Sequence, residues 1–220
     1  MEKIKFGTDG WRAIIARGFT VENVARVALA CSNWMLRKYR EATVVIAYDT
    51  RFGGKMFAET AAKVIASKGI KVILSDRYTA TPVVSFVVNM MKAEMGMMIT
   101  SSHNPFDYNG IKLKGTYGGP FFDEDIKDIE DLIDYENEVK PELININNLI
   151  KKDLLTIGNI EEYYIQHLKE NFDIDTLEES ASSLVFDPMY GSGQNILKKL
   201  FPVIKTIHNQ QELSFQNTPP

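Results

Sequence analysis

The sequence is short of cysteine, of long apolar runs and of positive charge, and each shortage removes a class of function. Cys31 is the single cysteine in 220 residues, so no disulfide can form within the chain. Its place in a helical apolar pattern makes it a buried, reduced thiol rather than a reactive one. The most apolar window, 83–99, is broken by Ser85, Asn89, Lys92 and Glu94, which leaves no stretch suited to spanning a bilayer. No apolar run follows Met1 either, so no secretory leader is expected and the cytoplasm is the expected compartment. Lys and Arg number 25 against 29 Asp and Glu, for a formal net charge of −4, which argues against a nucleic-acid backbone as partner. Neither membrane nor nucleic acid is therefore expected to bind. A small anion remains a candidate ligand if Arg12, Arg51, Lys112 and Lys114 are gathered locally. Two catalytic signatures are missing as well: there is no Gly-x-Ser-x-Gly elbow and no phosphate loop ending in Lys-Ser/Thr.

What is present alternates between strand and helix. Thr20 is suited to cap a helix whose apolar face carries Val24, Val27, Ala28, Cys31 and Met35. The β-branched run 43–47 reads as a buried strand. A helix through Phe57, Ala61, Val64 and Ile65 follows, closed by Gly69. Residues 72–74 form another short strand, and Thr81-Pro82 opens a helix with proline in its first turn. Residues 95–100 read as a strand, 111–114 as a hairpin arm, and Ile126, Ile129, Leu132 and Ile133 as a helix face. The acidic run 123–125 suits the start of that helix. Such alternation predicts an α/β fold with a mixed, largely parallel sheet flanked by helices over residues 1–145. Residues 146–158 lose the pattern and read as a linker. Residues 159–220 read as an incomplete second α/β domain, with helices at 159–171 and up to Phe201, and strands at 184–186 and 203–207. The methionines between 90 and 98 read as core, and His167 and His208 as surface or packing residues.

The chemistry concentrates in Thr-Ser-Ser-His-Asn-Pro at 100–105, directly after the apolar strand. A polar loop at the carboxyl edge of a sheet strand is where α/β folds bind ligands. Ser102 and His103 are neighbours on the chain and point apart when it is extended, which makes His103 a poor base for a Ser-His hydrolase built on Ser102. Phe6-Gly-Thr-Asp-Gly-Trp-Arg12 can bring backbone N–H groups and a guanidinium to an anion, although a hairpin turn accounts for its glycines equally well. Asp49 and Arg51 end a strand and can pair with each other. The turn 187–193 is better explained by strand-on-helix packing than as a phosphate loop.

Taken in order, Phe-Gly-Thr-Asp-Gly-Trp-Arg at 6–12, Tyr-Asp-Thr-Arg at 48–51, the 100–105 loop and Asn-Gly-Ile-Lys at 109–112 resemble the α-D-phosphohexomutase superfamily, which includes phosphoglucomutases and phosphomannomutases. The segments at 185–187 and 190–193 are similar to the opening of that family's second domain. The resemblance implies that Ser102 carries a phosphoryl group, gives it to a hexose phosphate, and recovers one from a hexose 1,6-bisphosphate that has turned around. It further implies Mg²⁺ on that phosphate, with Ser102 the one metal ligand within this sequence. His103 and Asn104 would orient the site, and Lys112 would shuttle a proton or act as an electrostatic clamp. Arg12, Thr8, Ser101 and Arg51 would contact phosphate. A phosphoglucosamine mutase and a non-catalytic sugar-phosphate-binding module remain alternatives. Members of the family are much longer, so the resemblance implies a partial chain that lacks the Asp-rich magnesium loop. Such a piece is expected to be inactive as a mutase, with no measurable turnover, and, through exposed edges and apolar patches, prone to self-association.

Overall fold

The first helix shows how local signals build the scaffold. In the computed structural model, which describes residues 3–7, 9–136 and 139–217, Thr20 accepts a hydrogen bond from the backbone N–H of Asn23 at 3.2 Å and so caps α1 (Val21–Lys38). The predicted face of α1, Val24 to Met35, is fully buried, and Arg37 and Lys38 complement its carboxyl end. Helix α2 (Gly54–Ser67) lies beside it, and the chain leaves α2 through Gly69 at φ +83°. Pro82 sits in the first turn of α3 (Thr81–Met91), where its missing N–H costs nothing. Among the described residues no helix is long and apolar enough to cross a membrane.

Strands β1 (Trp11–Ile14), β2 (Thr43–Tyr48), β3 (Lys71–Ser75), β4 (Met95–Ile99), β5 (Tyr108–Lys114) and β6 (Leu155–Gly158) form one sheet in the order β1-β5-β4-β2-β3-β6. Strands β4, β2, β3 and β6 run parallel, and β5 is antiparallel to both β4 and β1. The sheet is thus mixed and largely parallel, as expected. Helices α1 and α2 cover one face, where Val44, Ile46, Met97 and Ile99 meet Phe19, Val27 and Phe57. Helix α3 covers the other through Val83, Val84, Val87 and Val88, packed on Val45, Ala47 and Met98. Helix α4 (Asp123–Asp131) begins with three acidic residues, of which Asp125 is ion-paired to Lys38.

The expected linker is structured. Residues 146–151 form α5 (Ile146–Lys151), capped by the side chain of Asn145, and residues 155–158 are the sheet's last strand, in register with β3 from Val72↔Leu155 to Ser75↔Gly158. A four-residue edge strand with one deeply buried side chain, Leu155, carries too little alternation to be recognised from sequence. The first unit therefore extends to Gly158.

Residues 159–217 add α6 (Glu161–Asn171), α7 (Ile174–Ala181), α8 (Gln194–Leu200) and a parallel pair, β7 (Val185–Phe186) and β8 (Lys205–Thr206). Helix α7 was not anticipated in the sequence pattern. Ile160, Ile165, Ile196 and Leu200 share one core with α3, and Phe86 of α3 stacks on His167 with centroids 4.5 Å apart. His208 pairs with Asp187 at 2.9 Å.

Glu161 ties the two parts together. Its side chain is buried, accepts from Thr79 Oγ1 at 3.1 Å and lies 3.5 Å from Lys199 Nζ. Burial pushes its carboxyl above the ordinary value of 4.5, against the pull of Thr79, Lys199 and Arg77. The folded chain then holds this proton more tightly than the unfolded chain, so the contribution is best below pH 4.5 and is lost as pH rises through the folded value. Glu161→Gln is expected to keep the Thr79 contact and to flatten the fall in melting temperature between pH 5 and pH 8, followed by circular dichroism. An unchanged slope would show that Glu161 is not its source.

Candidate active site

Strand β4 ends in mid-sheet, and its exit is built as a strained, heavily bonded loop. Thr100 Oγ1 donates to Asp49 Oδ2 at 2.5 Å and accepts from the Ser102 N–H at 3.0 Å. Asp49 Oδ1 takes the Arg51 N–H at 3.0 Å. Asp49 is buried, which raises its carboxyl pKa against these hydrogen bonds and the Arg51 charge. Ser102 and His103 emerge exposed from this base. Ser102 has φ 56°, a left-handed conformation that costs an L-residue roughly 1–2 kcal/mol.

Arg51 is what holds the loop in that shape. Its Nη1 donates to the carbonyls of Pro105 and Tyr108 at 2.7 and 3.1 Å, and its Nη2 to those of Ser102 and Asn104 at 2.7 and 2.6 Å. Its Nε lies 3.4 Å from Asp49 Oδ2, and the side chain is 1% exposed. Both terminal nitrogens are thus spent on backbone carbonyls, so Arg51 shapes the loop, where the sequence reading had it contact phosphate; it also lines the cavity over Ser102.

A cavity of about 290 Å³ opens over the loop, lined by Ser102, His103, Thr100 and Asp49. Gly191, Ser192 and Phe215 close its other side. The 187–193 turn therefore does more than pack a strand on a helix; it walls the Ser102 cavity. Thr50 Oγ1 fixes it there by donating to the Tyr190 carbonyl at 3.1 Å. Gly-Ser-Gly at 191–193 was the signal available in the sequence.

The remaining predicted residues divide. Ser101 is fully buried and its Oγ has no hydrogen-bond partner among the described residues, and the same holds for Asn104 Oδ1 and Arg12 Nε. Arg12 lies opposite Gly110 in the β1–β5 register, and its Cγ passes over Gly110 on the side of the Thr100 carbonyl. Burial lowers the Arg51 pKa, and against the pull of Asp49 the charge of Arg12 helps to lower it further. Lys112 is largely buried, with Nζ 2.5 Å from Asp9 Oδ2; Lys114 Nζ stands 4.0 Å from the other oxygen of Asp9. Burial, together with Lys112, pulls the Lys114 pKa down. Asp9 was not singled out from sequence, yet it anchors both lysines. Gly10 makes room for that pair: at φ +106°, a β-carbon on it would meet the Ile111 carbonyl oxygen at 2.4 Å and Lys112 Cγ at 3.2 Å. Thr8 lies outside the described residues. Among the described residues no three His, Cys, Asp or Glu side chains gather to hold a metal. Asp49, the carboxylate in the Ser102 cavity, is occupied by Thr100 and Arg51. Among the described residues of that cavity, Ser102 and His103 are the exposed side chains open to a ligand.

Residues 3–140 match the family model described as phosphoglucomutase/phosphomannomutase, alpha/beta/alpha domain I. A phosphoglucomutase of Staphylococcus saprophyticus is 38% identical over 143 residues, which span 64% of this chain and 25% of that protein. One of Staphylococcus epidermidis is 40% identical over 134 residues, or 60% of this chain and 24% of that protein. Among solved structures, a Thermus thermophilus protein described provisionally as a phosphomannomutase superposes with a TM-score of 0.88 and 32% identity. That match covers 100% of this chain and 49% of the other. The Paramecium phosphoglucomutase parafusin, in an open form, shares the fold at TM-score 0.80 and 17% identity, over 98% of this chain and 45% of its own. The chain spans about a quarter of the length of the curated relatives and about half of the structural ones.

Proposed function

The chain belongs to the phosphoglucomutase/phosphomannomutase family, and from that premise we propose that Ser102 accepts and returns a phosphoryl group during interconversion of hexose 1-phosphates and hexose 6-phosphates. The observation that carries the reading is the strained Ser102, held out into a cavity by Arg51 and Thr100 while its neighbour Ser101 is buried. Strain is retained where the surrounding bonds over-determine it, and that pattern favours a functional site.

In the proposed step a sugar hydroxyl attacks the phosphorus on Ser102 Oγ. The new P–O bond forms to the sugar and the bond to Oγ breaks. The hydroxyl proton passes to a base, for which the cavity offers His103, and a proton returns to the departing Ser102 Oγ, restoring its hydroxyl. The product is a hexose 1,6-bisphosphate. After turning round, it returns its other phosphoryl group to Ser102. A covalent carrier divides a transfer that would otherwise need up to ~10²¹-fold acceleration into two easier steps. Lys112, ion-paired to Asp9, fits the role of electrostatic clamp better than that of proton shuttle. Any Mg²⁺ at the phosphate would draw its other ligands from outside the described residues, and no step here is assigned to it. Glucose, mannose and glucosamine phosphates all remain candidate substrates.

The test is incubation with glucose 1,6-bisphosphate labelled in both phosphoryl groups, followed by digestion and mapping of the label. Label is expected on Ser102 and lost in Ser102→Ala and Ser102→Gly. Glycine accepts φ 56° without strain, so Ser102→Gly is expected to change stability by no more than about 1 kcal/mol, which separates lost chemistry from lost folding. Label that survives both substitutions would assign the carrier to another residue. Saturable binding without label would favour the non-catalytic module.

A further inference from the structure

Phe215 is buried where neither hydrophobic core explains it. Its side chain is 3% exposed, yet it belongs neither to the core under α1 and α2 nor to the one under α3. It stands instead at the Ser102 cavity, with the guanidinium carbon of Arg51 5.2 Å from the centre of its ring. The backbone is bent to put it there. Phe215, Gln216 and Asn217 have φ 48°, 52° and 61°, and a bulky aromatic residue in the left-handed region is an outlier among L-residues. Such a shape persists where neighbouring contacts over-determine it. Here Glu212 Oε1 accepts from both the N–H and the hydroxyl of Ser214, at 3.0 and 2.7 Å. Gln211 Nε2 reaches the Thr50 carbonyl at 3.4 Å, and Gln194 Nε2 donates to that of Gln210 at 3.0 Å.

The segment 211–215 crosses Arg51 between two open spaces. Phe215 faces the cavity of about 290 Å³ over Ser102, whereas Gln211 and Leu213 face one of about 420 Å³ beside the start of α2. Asp49 and Arg51 line both. The guanidinium that holds four carbonyls of the serine loop is thus kept from water on two sides by this segment. A cation's hydrogen bonds weaken when water competes for its donors and raises the local dielectric. An aromatic face attracts the charge while leaving the in-plane N–H groups free for the carbonyls. Ordinary packing accounts for a buried phenylalanine within a core, but not for one held outside both cores, on a strained backbone, against a cation.

We propose that Phe215 is a positioning residue for Ser102, acting through Arg51. Its ring seals the guanidinium, so that the carbonyl bonds hold the serine loop in its left-handed shape. The reactivity of Ser102 then depends on a segment of the other unit. The proposal rests on the phosphoryl-carrier reading for one of its two readouts and on Arg51 alone for the other.

The experiment uses the full 220-residue chain with labelled glucose 1,6-bisphosphate, and in parallel NMR of isotopically labelled arginine side chains, with the Arg51 signals assigned through Arg51→Lys. Phe215→Leu keeps an apolar side chain and removes the ring. It is expected to slow labelling at saturating bisphosphate by about tenfold, with the half-saturating concentration within about twofold. Exchange of the Arg51 guanidinium protons with water is expected to quicken by about tenfold or more. Phe215→Tyr retains the ring face and is expected to return both readouts to within about threefold of the parent. Leu149→Ala, a buried change on α5 outside the cavity, is the stability control. It is expected to lower the melting temperature and, below it, to move neither readout. Equal slowing in Phe215→Leu and Leu149→Ala, or in the leucine and tyrosine variants, would reduce Phe215 to packing. Unchanged guanidinium exchange in Phe215→Leu would overturn the action through Arg51. A parent chain that never labels Ser102 would defeat the carrier reading, and guanidinium exchange would then decide this proposal by itself.

Discussion

Arg51→Met is expected to destabilise the chain by about 3–5 kcal/mol and to abolish phosphoryl labelling of Ser102. The substitution removes donors from the carbonyls of Ser102, Asn104, Pro105 and Tyr108 in one step. It also leaves Asp49 buried without its cation, with Thr100 and the backbone N–H of residue 51 as the remaining donors. A carboxylate in that position either protonates or drags water inward, and either response unseats Thr100, on which the Ser102 N–H rests. Arg51→Lys should fare little better, because one ammonium cannot present paired donors to carbonyls spread over seven residues. Urea unfolding and the labelling assay check both variants. A lysine variant with full stability and full labelling would sink the idea that a planar, forked cation shapes this loop.

Gly110→Ala is expected to be the next most damaging change, at about 1–3 kcal/mol and toward the upper end. A β-carbon there would stand 2.5 Å from the Trp11 carbonyl oxygen, 2.7 Å from that of Thr100 and 3.1 Å from Arg12 Cγ. Two of the three obstacles are backbone on neighbouring strands, so relief requires β1 or β4 to move rather than a rotamer to change. Movement of β4 carries the serine loop with it, and movement of β1 displaces Arg12. Loss of labelling should therefore exceed what the loss of stability accounts for. Alanine at Gly158, whose β-carbon would meet nothing within 4 Å, is the matched control and is expected to be near neutral. If Gly110→Ala labels Ser102 at the normal rate, close approach of these three strands is not what positions the serine.

Self-association is expected from sequence through exposed edges and apolar patches, and the two-stranded β7–β8 ribbon is the surface on which to test it. Leu184, Val185, Val203 and Ile207 on and beside it are each about half exposed or more. Concentration-dependent sedimentation, reduced by Val185→Lys, would trace association to this ribbon. A shift unaffected by that change would place it elsewhere.

Much of this molecule follows from its sequence alone. Thr20, Gly69 and Pro82 mark where helices begin and end because capping, left-handed turns and missing N–H groups act within a few residues. The buried faces of α1, α2 and α3 follow from a spacing of 3 and 4 that any amphipathic helix must show. The position of Ser102 after a buried strand was also legible, because a strand end followed by polar loop residues is a local pattern. Tertiary structure alone decided which of these residues meet. Arg51 lies about fifty residues from the carbonyls it binds, and nothing in Tyr-Asp-Thr-Arg distinguishes a phosphate ligand from a backbone clamp. Asp9 reaches Lys112 across 103 positions. The strand at 155–158 joined the sheet through β3, although its own pattern read as linker. Gly191 and Ser192 arrived at Ser102 from another part of the chain. Short-range signals set the elements because torsional preference and periodic burial are properties of neighbouring residues. Partners were set by the sheet order, since hydrogen bonds and ion pairs form between whichever groups packing brings within about 3–4 Å.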